Sequence, residues 1–313
     1  MRQDDKSPPA GRIEDLAPGV RRILAPNPSP MTLWGTNTYI LGSGDVAVID
    51  PGPQLPAHLE AVMTGLAGER VALILVTHAH LDHSPLAAEL SARTGAPVLA
   101  HGDWTAGRSA QMTALAASGG VGGGEGVDAG FRPDHALPDG TTVGSDMGWS
   151  DAPIEAIWTP GHFSNHMSFA WRGNLFCGDH VMGWASSLVS PPDGDLTAFM
   201  DSSRRLLARP EGRYFPGHGA PLDQPEERLR WLIGHREMRE AQILEALEAG
   251  PANAAELAAR IYTDLAPALM GAASRNVLAH LLDLTARNHL APVATAPGSL
   301  TATTRFSHVD RPA

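Results

Sequence analysis

The sequence predicts an α/β layered protein, sheet inside and helices outside, with a small helical domain appended. Three observations carry that expectation. Strand-like apolar stretches alternate with helical ones in two successive blocks before about residue 220. One stretch, VALILV at 71–76, is apolar without interruption, as in a strand covered on both faces. After Gly219 the texture changes to Ala- and Leu-striped helical sequence.

Taken in order, residues 1–20 read as a loose, polar, Pro-rich leader with no apolar secretory segment. TYILG, a GSGD turn and VAVID stopping at Pro51–Gly52 read as short strands broken by turns. LPAHLEAVMTGLAG has helical spacing. SPLAAELSARTG reads as a helix with Ser84 as N-cap, Pro85 in the first position and Gly95 as terminator. APVLA is a further strand. SGGVGGGEG, residues 118–126, reads as a mobile surface loop. It is no phosphate-binding fingerprint, since no Lys follows and the segment ahead is not strand-like. TTVG, IEAIW, MSFAW and NLFCGD return to strand, LTAFMDSSRRLLAR is an amphipathic helix, and RYFPGHG closes a short strand. The expected division is a main domain over 21–220, a helical domain over 221–290 and a loose tail over 291–313.

Composition narrows the chemistry. The chain has 313 residues and a formal net charge of −11, with Lys6 its only lysine. Such a surface disfavours nucleic-acid backbones and anionic membranes. No apolar run approaches the roughly 18 residues that a membrane span needs, so a cytoplasmic protein is expected. Cys177 is the one cysteine. It permits no internal disulfide and no thiolate cage, so any metal must be held by histidines and carboxylates.

VTHAHLDHSP, directly after VALILV, supplies them. His78, His80, Asp82 and His83 form H-x-H-x-D-H. Residues two apart on an extended backbone point the same way. His78 and His80 can thus grip one ion while Asp82 and His83 turn toward a second. Imidazole and carboxylate suit zinc foremost, and also iron or manganese. His162 in TPGHFSNH, Asp179 in FCGDH and His218 in YFPGHG each follow a strand-like segment beside Gly or Pro, where an α/β sheet commonly carries its site. His166 stands four residues after His162, either to donate a proton to a leaving group or to hold a ligand in place. Met182, Trp184 and Leu188 follow Asp179 closely enough to wall a partly apolar pocket.

The order H-x-H-x-D-H, PGH, GD, PGHG resembles the metallo-β-lactamase superfamily, whose fold is an αββα sandwich. By that resemblance His78, His80 and His162 hold a first metal, Asp82, His83 and His218 a second, and Asp179 bridges both. NPSPMTLWGTNTYILG, TPGHFSNHMSF, YFPGHG and HREMREAQIL further resemble the β-lactamase-like protein 2 branch, whose C-terminal part is a winged-helix-like domain, here 221–290. The resemblance implies two divalent ions and a hydroxide shared between them, oriented by Asp82, acting on a small ester, thioester or lactone. Endoribonuclease or phosphodiesterase action on single-stranded RNA is the alternative, with a mononuclear iron dioxygenase behind it. Between 221 and 290 the chain carries ten acids, seven arginines and no lysine. That balance argues against a nucleic-acid partner and for a packing or homodimerisation role of the helical domain, with one helix closing over the site.

Overall fold

Two mixed sheets face each other in the computed structural model, which describes residues 7–123, 126–293 and 300–309. The first holds β1 (Ile13–Ala17), β2 (Val20–Leu24), β3 (Asn37–Ser43), β4 (Asp45–Ile49), β5 (Arg70–Leu75), β6 (Val98–Ala100) and β7 (His135–Ala136), in that spatial order. Its strands pair antiparallel up to β4 and parallel from β4 onward. The second sheet runs in chain order from β8 (Thr142–Val143) through β9 (Ile154–Trp158), β10 (Met167–Trp171) and β11 (Asn174–Gly178) to β12 (Arg213–Pro216). Only the last of its pairings, β11 with β12, is parallel.

The two-residue period of a strand sorts each segment into inner and outer faces. Tyr39, Leu41, Leu73 and Leu75 point inward and meet Phe169, Phe176 and Phe215 of the second sheet. Tyr39 packs edge-on to Phe176 and Phe215, ring centroids 5.2 and 5.7 Å away. Ile40, Val48 and Ile74 point outward beneath α1 (Pro56–Gly65) and α2 (Ala87–Thr94). The uninterrupted apolar run at 71–76 is thereby explained, since both faces of β5 are covered. α3 (Ala110–Ser118) lies beyond β6 and has Ser109 as its N-cap, accepting from the Met112 amide. On the far side, Ile157, Leu175 and Cys177 pack under α4 (Leu196–Leu207) and the first half of α5 (Pro225–Leu247). The layers are helix, sheet, sheet, helix.

The second half of α5 leaves the sandwich and joins α6 (Ala254–Ile261) and α7 (Met270–Ala286) around Leu247, Leu257, Leu278 and Leu281. Asn253 and Glu256 form a reciprocal capping box that starts α6. An antiparallel ribbon, β13 (Leu290–Pro292) with β14 (Phe306–His308), completes this domain as its wing. Among the described residues no helix is long and apolar enough to cross a membrane.

Four local expectations need correcting. Residues 13–17 of the expected leader form β1, because β2 offers them a free edge and Glu14 an ion pair with Arg22 at 2.6 Å. The expected tail contributes β14, whose Phe306 is fully buried against the helices. α2 starts at Ala87 rather than at Pro85, and Ser84 instead gives its hydroxyl to Asp128 at 2.8 Å. In the glycine-rich stretch, Gly124 and Glu125 lie outside the described residues. Before them, Val121 is buried in the helical-domain core and Gly120 accepts from the Ala302 amide, so this part is packed rather than free.

Candidate metal centre

Every residue expected from the sequence to ligate a metal sits in a loop just past the C-terminal end of a strand. His78, His80, Asp82 and His83 follow β5, His162 follows β9, Asp179 follows β11 directly, and His218 follows β12. The parallel pairings of β4 with β5 and of β11 with β12 bring those ends to one rim of the sandwich. There the side chains converge in three overlapping groups, each with ligand atoms close enough to hold an ion: His78, His80, His162; His78, His83, Asp179; and Asp82, His83, His218. His78 Nε2 and His162 Nε2 lie 2.8 and 3.1 Å from His80 Nδ1. His218 Nε2 is 3.2 Å from both Asp82 Oδ2 and Asp179 Oδ2. Asp179 Oδ2 also lies 3.7 Å from His162 Nε2, and Asp179 Oδ1 lies 3.6 Å from His83 Nε2. Asp179 thus faces both outer groups.

The far nitrogen of most of these rings is held, which fixes the ring orientation. His83 Nδ1 meets Asp50 Oδ2 at 2.9 Å, His162 Nδ1 the Leu188 carbonyl at 2.6 Å, and His218 Nδ1 the Gly35 carbonyl at 3.2 Å. His78 Nδ1 lies 3.0 Å from Thr77 Oγ1. Asp50 is itself fixed by the Thr77 amide at 2.7 Å and the Thr77 hydroxyl at 2.8 Å. It holds φ at 51°, an uncommon conformation for a residue with a side chain. Gly35, at φ 130°, has no room for a Cβ against the Ala25 carbonyl, which places its own carbonyl at His218.

Charge divides the site. Burial pushes His80 down to about 3, and holds His78 well below and His162 below the ordinary imidazole range. Those rings are neutral and free to offer lone pairs. Burial also opposes protonation of His83 and His218. The carboxylates of Asp82, Asp179 and Asp50 overcome it at His83, which is held well above its usual value, and those of Asp179 and Asp82 raise His218 to about 9. Asp82 and Asp179 stay ionised despite burial, because His83 and His218 lie beside them. Excess carboxylate facing imidazole is a donor set that wants cationic charge. His83 Nε2 and Asp179 Oδ1 are buried with no hydrogen-bond partner among the described residues. A Cβ on Gly217 would collide with both Asp179 Oδ1 and His83 Cε1, so that glycine keeps the space between them open. The residues fit a metal.

Of the two roles expected for His166, its placement suits holding a ligand in place rather than donating a proton. It is fully buried, its Nε2 accepts from the Asp179 amide at 3.2 Å, and its Nδ1 lies 2.9 Å from Thr159 Oγ1. Both nitrogens are engaged, so the ring braces the Asp179 backbone. His180 points the other way from Asp179, stacking on Phe199 and meeting Ser203 Oγ at 3.0 Å.

The centre opens into a cavity of about 750 Å³ between the sandwich and the helical domain. His80, Asp82, His162 and Asp179 form its floor. Met182, Trp184 and Leu188 wall one side, as their position after Asp179 led us to expect. The roof comes from the helical domain, with Arg236 on α5, Tyr262, Leu265 and Leu269 before α7, and Asn276 on α7. A helix of the helical domain over the site was expected from the sequence, but neither Asp50 nor the individual residues of this roof were. VAVIDPGP ends its strand on an acid, a weak signal for Asp50, and the roof residues carry none.

Residues 31–218 match the family model described as metallo-beta-lactamase superfamily. This chain belongs to the metallo-beta-lactamase superfamily. Residues 254–291 match the beta-lactamase associated winged helix domain, which corresponds to α6, α7 and the first wing strand. The chain is 32% identical over 283 residues to the beta-lactamase-like protein 2 homolog of Drosophila melanogaster, covering 87% of this chain and 89% of that protein. It is 30% identical over 249 residues to the atrochrysone carboxyl ACP thioesterase of Aspergillus fumigatus, covering 77% of this chain and 69% of that protein. A metallo-beta-lactamase family protein from Thermus thermophilus superposes with a TM-score of 0.73 at 25% identity, covering 94% of this chain and 100% of that one. A beta-lactamase domain protein from Burkholderia ambifaria superposes with a TM-score of 0.77 at 23% identity, over 98% and 96% of the two chains, a likeness of fold alone. With these relatives, this chain is a metal-dependent hydrolase.

Proposed function

We propose that this hydrolase is dinuclear and cleaves small acyl thioesters, with esters and lactones as related substrates. One observation carries the reading: two ligand groups joined through Asp179 form the floor of a cavity whose sides are largely apolar. His78, His80 and His162 would hold the first ion and Asp82, His83 and His218 the second, with Asp179 within reach of both, and zinc best suits this oxygen and nitrogen set. Bound there, the two ions supply a nucleophile at neutral pH and polarise the scissile carbonyl.

The protein's share is position and exclusion of water. Asp50 holds His83 with Nε2 facing the centre. Asp82 keeps a carboxylate edge on the cavity and has Thr36 Oγ1 at 3.5 Å, so it can orient the attacking group. Met182, Trp184, Leu265 and Leu269 offer contact to an apolar acyl body and displace water from it. A thiolate is a good leaving group, which suits a site where His166 is engaged elsewhere and not offered as a proton donor. The similarity to a protein named as an ACP thioesterase supports the substrate class.

The test is a chelator-controlled panel of an aryl-acyl thioester, an aryl ester, a lactone, a bis-aryl phosphodiester and single-stranded RNA. Thioester turnover should lead and should vanish on metal removal. Metal-dependent RNA or phosphodiester cleavage without acyl turnover would overturn the substrate class.

A further inference from the structure

We propose that the helical domain sets the position of a metal-centre imidazole, with Arg236 on α5 and Asn276 on α7 acting as positioning residues for His162. The link runs through one backbone carbonyl. His162 Nδ1 donates to the Leu188 carbonyl at 2.6 Å. Leu188 lies in the irregular segment between β11 and α4, where no helix or strand ladder fixes its peptide group. The helical domain fixes it instead. On one side of Leu188, the Ser187 carbonyl accepts from Arg236 Nη2. On the other, the Val189 amide donates to Asn276 Oδ1 at 3.0 Å. The same Oδ1 accepts from Arg236 Nη1 at 3.0 Å, which closes the clamp.

Most of the clamp is buried. Ser187 and Val189 are fully buried and Arg236 is 2% exposed, while Asn276 is half-buried at the cavity wall. Burying a guanidinium is expensive, and Arg236 Nε has no hydrogen-bond partner among the described residues. A domain tether alone does not call for that cost. Thr197 already ties α4 to Asp283 of α7 with a 2.5 Å hydrogen bond that touches no peptide of the 187–189 segment. What Arg236 and Asn276 add is direction. They aim the Leu188 carbonyl, which sets the tautomer and tilt of His162, so that Nε2 points at His80 and Asp179. Docking of the helical domain and completion of the first ligand group are therefore one event.

The inference rests on His162 as a metal ligand. The experiment uses the full chain and three variants: Asn276→Ala, which removes the shared acceptor; Asn276→Asp, which keeps an acceptor oxygen there; and Thr197→Val, which loosens the domains elsewhere. Zinc affinity is read by chelator competition, and coordination by the visible spectrum of the cobalt-substituted protein. Asn276→Ala should weaken one of the zinc-binding steps by roughly 10- to 100-fold and shift the cobalt bands. Asn276→Asp should stay within about threefold of the parent, and Thr197→Val should lower the melting temperature with affinity and spectrum unchanged. If Asn276→Ala does not fold, Arg236→Lys takes its place, with a loss of several-fold expected because one ammonium cannot reproduce two guanidinium donors. Unchanged zinc affinity and spectrum in Asn276→Ala (or in its replacement) would overturn the inference while leaving the proposed function intact. So would an equal loss in Thr197→Val. A parent protein that binds no metal would overturn both.

Discussion

The metal centre and the helical domain above it both bury histidines, and they do so in opposite ways. In the centre, His83, His162 and His218 are each held from behind by a carboxylate or a backbone carbonyl. In the helical domain, His280 is just as buried, yet neither of its ring nitrogens meets a hydrogen-bond partner among the described residues. Orientation by a partner is what turns a buried imidazole into a ligand. A buried imidazole without one is only a packing group with a latent cost. The floor is built for chemistry, whereas the roof is built for enclosure and, through Arg236 and Asn276, for positioning.

The sharpest way to break that contrast is to remove a partner in the centre. Asp50→Asn leaves the volume unchanged but takes the carboxylate from behind His83, and metal affinity should fall by roughly 10- to 100-fold in chelator competition. No change would mean that the second group of ligands does not depend on Asp50.

Next comes the unpartnered histidine of the helical domain. Burial, with the Arg236, Arg287 and Arg239 cations and the His235 ring nearby, pushes His280 down to about 3. A histidine whose folded pKa lies below its unfolded value of about 6.5 binds more protons when unfolded. Its neutral burial therefore costs nothing extra above pH 6.5, and stability is lost as pH falls from there toward 3. The loss approaches about 2 kcal/mol at pH 5 relative to pH 7.5, at about 1.4 kcal/mol per pH unit. His280→Leu should remove that part of the acid sensitivity in denaturant melts. His58, pushed down to about 4 mainly by burial, contributes with the same sign in both proteins, so the difference between the two curves isolates His280.

The smallest effect belongs to the apolar roof. Leu269→Ala should raise KM for a bulky apolar thioester roughly fivefold, about 1 kcal/mol of lost contact, with kcat held. KM for an acetyl thioester, too short to reach the roof, should not move. An equal effect on both substrates would place Leu269 outside the binding path.

The same contrast governs what could be read from the sequence. The floor was legible because its ligands are grouped in short motifs at strand ends, and H-x-H-x-D-H has few structural uses. The strands were legible where a two-residue period or an apolar run marked them. β1 and β14 were not, because Ile13–Ala17 and Phe306–His308 gain their order from partner strands and, for β14, from a helical core rather than from their own pattern. Asp50 reaches His83 across 33 positions, and Arg236 reaches Ser187 across 49. The Leu188 carbonyl carries no side-chain signature at all. Helical spacing at 225–250 announced α5 but could not show that one helix serves two cores, Leu229 and Leu232 in the sandwich and Ile243 and Leu247 in the helical domain.

Elemental analysis of the purified protein beside His218→Ala decides whether the centre takes two metals. Two zinc or similar divalent ions per parent chain and close to one in the variant are expected, with thioester turnover lost alongside the second ion. A single iron per parent chain, with oxygen consumption and no hydrolysis, would contradict a two-metal centre.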